Sequence, residues 1–188
     1  MKKKTRSNLI MVAVIIMIMI TGILAAYFLM GNGQNAPLGT DFNASQLTDE
    51  TGEHTCTVTI LCDTVLAHPD RLNPAKSSYV PDDGVILSKT KVAFTPGESA
   101  FDVLQRICEK GDIQLEYSWT PIYDSYYIEG VNHLYEFDCG PESGWMYKVN
   151  GAFPNYGCSS YEAQSGDDIV WCYTCVGLGE DVGAERMD

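Results

Sequence analysis

Residues 99–109 read SAFDVLQRICE, and this short stretch decides the fold. Ala100, Val103, Leu104, Ile107 and Cys108 recur at three- and four-residue spacing, so on an α-helix they form one apolar stripe. Ser99 is placed to cap the first turn, Asp102 puts a carboxylate near the positive end of the helix dipole, and Gly111 follows the last turn. Nothing else downstream of residue 54 carries a clear helical period. A lone helix with one apolar stripe must lie on one face of a sheet.

The strands stand on either side. Residues 55–62, TCTVTILC, alternate: Cys56, Val58, Ile60 and Cys62 share one face, and Thr57 and Thr59 take the other. An irregular stretch with Pro69, Pro74 and Pro81 leads to a second strand over residues 85–94, which Thr95-Pro96-Gly97 turns toward the helix. A short third strand is expected over 113–117, a fourth over 145–149 (WMYKV), closed by the turn Asn150-Gly151, and a last over 169–175 (IVWCYTC). Residues 119–144 read as a long aromatic and acidic connection. The order strand, strand, helix, strand, strand, strand specifies a two-layer α+β fold. It fits a β-grasp-like mixed sheet with one covering helix, the first and last strands running parallel at its centre.

Residues 9–30, LIMVAVIIMIMITGILAAYFLM, carry no charge. At about 1.5 Å per residue a helix of this length spans roughly 33 Å, enough for a hydrocarbon core of about 30 Å. Lys2, Lys3, Lys4 and Arg6 precede it and favour a cytoplasmic start, so the remainder is expected on the far side. The apolar run is longer than that of a cleaved signal peptide and continues past Ala25-Ala26. The expected organisation is a cytoplasmic basic tail (1–8), a single transmembrane anchor (9–30), a flexible linker (31–54), an extracytoplasmic domain (55–176) and a frayed acidic tail (177–188). The expected location is the cell membrane, crossed once.

Charge narrows the partners. After residue 30 there are 8 Lys and Arg against 25 Asp and Glu, a net of −17. Nucleic-acid binding needs a basic face, so it is excluded, as is docking on anionic headgroups. No catalytic motif is present. Ser143-Gly144 lies outside any G-x-S-x-G elbow, the acidic doublets follow no EF-hand pattern, and His54, His68 and His133 share no metal-like spacing. The chain is therefore expected to be no enzyme, to hold no metal and to require no cofactor.

All seven Cys follow the apolar run, where an exported domain meets an oxidising environment. Cys139 and Cys158 flank the WMYKV strand and its turn. Cys62 and Cys175 close the first and last strands, which would be parallel neighbours. Bridges Cys139–Cys158 and Cys62–Cys175 are expected on these grounds, among many pairings that seven Cys allow. The second would stabilise by about 4 kcal/mol in the chain-entropy model. Cys172-Tyr-Thr-Cys175 sits in a strand rather than at a helix start, and its two thiols should face opposite ways, so a redox-catalytic reading is disfavoured.

Aromatic residues crowd the connections: Trp119, Tyr123, Tyr126, Tyr127, Tyr135, Phe137, Phe153 and Tyr156. Such rings line a binding face or fold over the sheet as a small core. The core reading is favoured for Tyr135 and Phe137. Both readings stand for Trp119, Tyr123, Tyr126 and Phe153.

Four stretches carry a family likeness: GESAFDVL (97–104), YIEGV (127–131), SGWMYKVNG (143–151), and Tyr161 with Gly166-Asp167 before the last strand. Over residues 56–176 the chain resembles the transcobalamin-like C-terminal domain family. The resemblance implies a β-grasp-like domain and cobalamin as a ligand, and adds Tyr127, Trp145 and Tyr147 to the candidate contacts. The helical domain against which the animal carriers clasp cobalamin is missing here, so a transporter or a second binding protein is the implied partner. The expected function is an anchored extracytoplasmic ligand-binding module, with a structural or protein-interaction domain as the alternative.

Overall fold

A computed structural model describes residues 54–184. The expected basic tail, transmembrane anchor and nearly all of the linker lie outside the described residues, as do the last four residues. Among the described residues no helix is long and apolar enough to cross a membrane. They all belong to one compact unit.

The strands are β1 (Thr55–Leu61), β2 (Val85–Ala93), β3 (Leu115–Thr120), β4 (Ser125–Val131), β5 (Leu134–Tyr135), β6 (Gly144–Val149) and β7 (Asp168–Thr174). Helix α1 is a single turn (Thr64–Ala67), and α2 (Ala100–Lys110) is the long one. The main sheet has the order β2-β1-β7-β6. Its central pair, β1 and β7, is parallel, with Val58 opposite Ile169 and Ile60 opposite Trp171, while β2 and β6 join antiparallel. The expectation of parallel first and last strands at the centre agrees with this order.

The alternation read in TCTVTILC is realised. Cys56, Val58, Ile60 and Cys62 are buried, and Ile169, Trp171 and Tyr173 join them from β7. Helix α2 supplies Phe101, Val103, Leu104, Ile107 and Cys108 to the same core. Its start is a capping box: the Ser99 hydroxyl accepts from the Asp102 amide, and the Asp102 carboxylate accepts from the Ser99 amide at 2.8 Å.

Two expectations are corrected. The sheet is not single: β3-β4-β5 form a separate three-stranded sheet. The stretch 119–144 is not an irregular connection, since it holds β4 and β5, and the third strand runs to Thr120 rather than ending at Tyr117. Register explains why the pattern was obscured. Leu115 to Thr120 pairs with Ser125 to Val131 through a shift between Glu116 and Tyr117, which breaks the simple alternation. The glycine of the IEGV motif has a packing reason. Tyr135 sits opposite Gly130, and a Cβ there would lie 2.7 Å from the Tyr135 ring.

The tail is also partly ordered, against the expectation of fraying. Glu180–Val182 form a 3-10 turn, and the Asp181 carboxylate accepts from the Cys175 amide at 2.8 Å and from the Thr174 hydroxyl. Tyr161 and Asp167, two of the residues behind the family likeness, meet in a buried node. The Asp167 carboxylate accepts from the Tyr161 hydroxyl (2.8 Å), the Gln164 amide (2.8 Å) and Asn150 Nδ2 (2.9 Å), which ties the β6 turn to the entry of β7. A buried carboxylate with three donors is stable only as long as all three stay in place.

Candidate functional site: the aromatic hairpin

The β3–β4 hairpin stands on a stack of rings. Phe101 of α2 lies 4.3 Å from the Tyr126 ring in a stacked arrangement and 4.8 Å edge-on from Tyr117. Tyr117 and Trp119 each meet Tyr126 edge-on at 5.1 Å. Offset and edge-to-face contacts at these distances are attractive beyond the apolar area they bury. The helix therefore holds the hairpin by aromatic packing, and Trp119 rests on the outer member of this stack.

The candidate residues separate into four groups. Trp119 and Tyr126 are cross-strand partners, and at the turn beyond them Tyr123 is 73% exposed. Ile122, which the sequence reading passed over, is 83% exposed at the same turn. Its signal was an apolar residue in a Pro121-to-Asp124 turn, where polar residues are the rule. Trp119 itself is 48% exposed, so the tip presents three large apolar side chains to solvent.

Tyr127 occupies the opposite face of β4. Its hydroxyl donates to Glu136, and burial together with that carboxylate pushes its ionisation well above the ordinary tyrosine range. Tyr135 donates to Glu116 at 2.6 Å, which pushes it up to about 12. Both phenols are locked as donors to carboxylates. Lys76 closes this face, 4.4 Å above the Tyr135 ring and 3.4 Å from Asp138.

Trp145 and Tyr147 belong to the interior. Both are buried. Trp145 Nε1 donates to the Leu134 carbonyl at 2.8 Å and its ring meets Tyr173 edge-on, while the Tyr147 hydroxyl donates to the Tyr156 carbonyl at 2.8 Å and its ring stacks on Trp171. SGWMYKVNG thus reads as a core strand, because β6 turns its Trp and Tyr toward the core face of β7. Phe153 is half-buried in the β6–β7 connection, with Lys148 Nζ 5.0 Å from its ring centre. It is not part of the hairpin tip.

All seven Cys are buried thiols. The Cys139 side chain interacts with Cys175. Cys158 lies beside the start of β4, its sulfur 3.3 Å from the Tyr126 carbonyl and 4.0 Å from Ser125 Oγ. Burial pushes Cys62 and Cys108 up to about 12, and Cys56 and Cys172 to about 11, as expected of thiols far from water. Cys175 moves the other way, lowered chiefly by its contact with Cys139 and then by its contact with Thr64. Among the described residues no group of His, Cys, Asp and Glu is arranged to hold a metal ion.

A family model described as a domain of unknown function, DUF4430, matches residues 97–174. These residues fall within the stretch that carries the transcobalamin-like resemblance. No curated protein matches the chain. Among solved structures, haptocorrin in complex with Cbi aligns with a TM-score of 0.46 at 12% identity over 67% of this chain. The chain spans only 26% of that haptocorrin chain. A protein of Ruminococcus gnavus ATCC 29149, described as a candidate metal-binding protein, aligns with a TM-score of 0.39 at 14% identity, covering 65% of this chain and 97% of the other.

Proposed function

We propose that this chain is a membrane-anchored, extracytoplasmic ligand-binding module that captures a macrocyclic ligand of the corrinoid type and works with a transporter or second binding protein. The observation that carries the reading is the hairpin tip. Trp119, Ile122 and Tyr123 are solvent-exposed there, and the Phe101–Tyr126 stack holds their hairpin in place. Exposed rings on a rigid base lose little conformational freedom on binding. One hairpin tip covers a single face of a macrocycle, so the opposite face is left for a partner. The transcobalamin-like resemblance selects cobalamin and related corrinoids among macrocyclic ligands. No residue is assigned a catalytic role.

The test is titration of the full chain in detergent with cobalamin and with cobinamide, followed by tryptophan fluorescence and calorimetry. Trp119→Ala and Tyr123→Ala should each cost roughly 1.5–3 kcal/mol of binding, or about 10- to 100-fold in affinity. Tyr123→Ala should leave the melting temperature unchanged, because that side chain is 73% exposed, whereas Trp119→Ala should lower it slightly through its lost edge-on contact with Tyr126. Absence of any signal at millimolar ligand would overturn the corrinoid reading. The protrusion of Ile122 and Tyr123 favours a second reading, in which the tip docks on a protein. Loss of a membrane partner in pull-downs with the same variants, without corrinoid binding, would establish it.

A further inference from the structure

Three thiols from distant parts of the chain converge at one end of the main sheet. Cys62 follows β1 and Cys175 follows β7. Since Ile60 lies opposite Trp171 in the parallel pair, Cys62 and Cys175 continue the same core-facing rows. Cys139 comes from the loop between β5 and β6. Three hydrogen bonds bring it there. The Tyr173 hydroxyl, two residues before Cys175, reaches the Tyr135 carbonyl at 2.7 Å and Ser143 Oγ at 3.1 Å, and the Cys139 amide donates to that same Ser143 Oγ at 3.0 Å. From outside, residues 71–73 clamp both neighbours: Arg71 Nη1 donates to the Cys175 carbonyl at 3.1 Å, and the Asn73 amide donates to the Asp138 carbonyl at 2.7 Å. Cys139 and Cys175 interact side chain to side chain, and the Cys175 thiol donates to Thr64 Oγ1 at 3.7 Å.

We propose that Cys139 and Cys175 form a disulfide that fastens the β5–β6 loop to the end of β7, with Cys62 left as a thiol beside it. The oxidant is a protein or small-molecule disulfide, and the step is two successive exchanges. Cys175 attacks one sulfur of the oxidant as a thiolate and expels the other as a thiol. Cys139, losing its proton to solvent, then attacks the Cys175 sulfur of the mixed disulfide and expels the second thiol. Two protein thiols are oxidised and one disulfide is reduced, with no other reactant needed. Both sulfurs are buried in the folded domain, so the bridge forms during folding, before the loop closes over Tyr173. In the cell this depends on the extracytoplasmic location proposed above. The test below supplies its own oxidant and is independent of that location.

Reduced full-length chain is refolded from urea in detergent with a reduced and oxidised glutathione buffer, alkylated, and digested for mass spectrometry. Cleavage at Lys148 and at the acidic residues between 162 and 168 places Cys139, Cys158 and the Cys172/Cys175 pair on separate peptides. The expected product is a Cys139 peptide joined to the Cys172/Cys175 peptide, retained in Cys172→Ser and Cys62→Ser and lost in Cys175→Ser. Reduction of the wild type should lower its melting temperature by roughly 10 °C. A dominant Cys139–Cys158 or Cys62–Cys175 link would overturn the proposal. So would alkylation of both Cys139 and Cys175 in the refolded chain.

Discussion

Replacing Phe101 tests whether the helix holds the aromatic hairpin as described. Its side chain is 3% exposed and packs on the rings of Tyr126 (4.3 Å) and Tyr117 (4.8 Å). Phe101→Ala removes a buried ring and leaves a cavity between α2 and the second sheet, for an expected loss of about 3–5 kcal/mol. Phe101→Leu keeps most of the volume. It loses two ring–ring contacts at about 0.5–1.5 kcal/mol each, so the expected loss is roughly 1–3 kcal/mol. The pair of variants therefore separates filling from stacking. Urea unfolding of the full chain in detergent, followed by circular dichroism, gives both values. Fluorescence quenching by acrylamide reads the hairpin directly, because Trp119 rests on Tyr126, which rests on Phe101. Quenching should rise in Phe101→Ala below the unfolding transition, and less in Phe101→Leu. A loss under 1 kcal/mol for Phe101→Ala would refute the packing argument. Identical losses for the two variants would show that ring stacking, rather than volume, carries the contact.

Gly157→Ala should destabilise by about 1–3 kcal/mol, because the new Cβ would sit 2.2 Å from Ser125 Cβ and Oγ; Ser125→Gly in the same chain should restore most of the melting temperature. Tyr135 is raised to about 12 chiefly by its hydrogen bond to Glu116. The native contact therefore favours the protonated phenol. Its contribution to stability is fully present below the ordinary tyrosine value near 10 and is lost as pH rises through about 12. Glu116→Gln should move the Tyr135 ionisation, read by absorbance near 295 nm, back toward 10, and an unmoved titration would contradict the assigned cause.

Much of the fold was legible because it rests on short-range periods. The 3.6-residue stripe of 99–109, the Ser99 and Asp102 cap, the alternation of 55–62 and the turns at Asn150-Gly151 and Ser165-Gly166-Asp167 each lie within one element. A single helix and β-branched end strands leave few ways to bury both. The candidate site was legible only in part. Aromatic density pointed to residues 119–127, but the register shift hid the hairpin, and exposure cannot be read from residue type. Trp145 and Trp119 are the same amino acid on neighbouring kinds of strand, yet one donates to Leu134 in the interior and the other faces solvent.

The amino-acid order by itself determined the strands of the main sheet, where the main helix starts and stops, the charge that excludes nucleic acid, and the parallel pairing at the sheet centre. Tertiary structure alone decided that the aromatic connection folds into a second sheet, that Trp145 and Tyr147 are core rather than surface, and that Cys139 meets Cys175. The division follows from distance along the chain. Helical and strand periods are set by neighbours within a few residues, whereas the partner of a side chain is set by which distant segment packs against it.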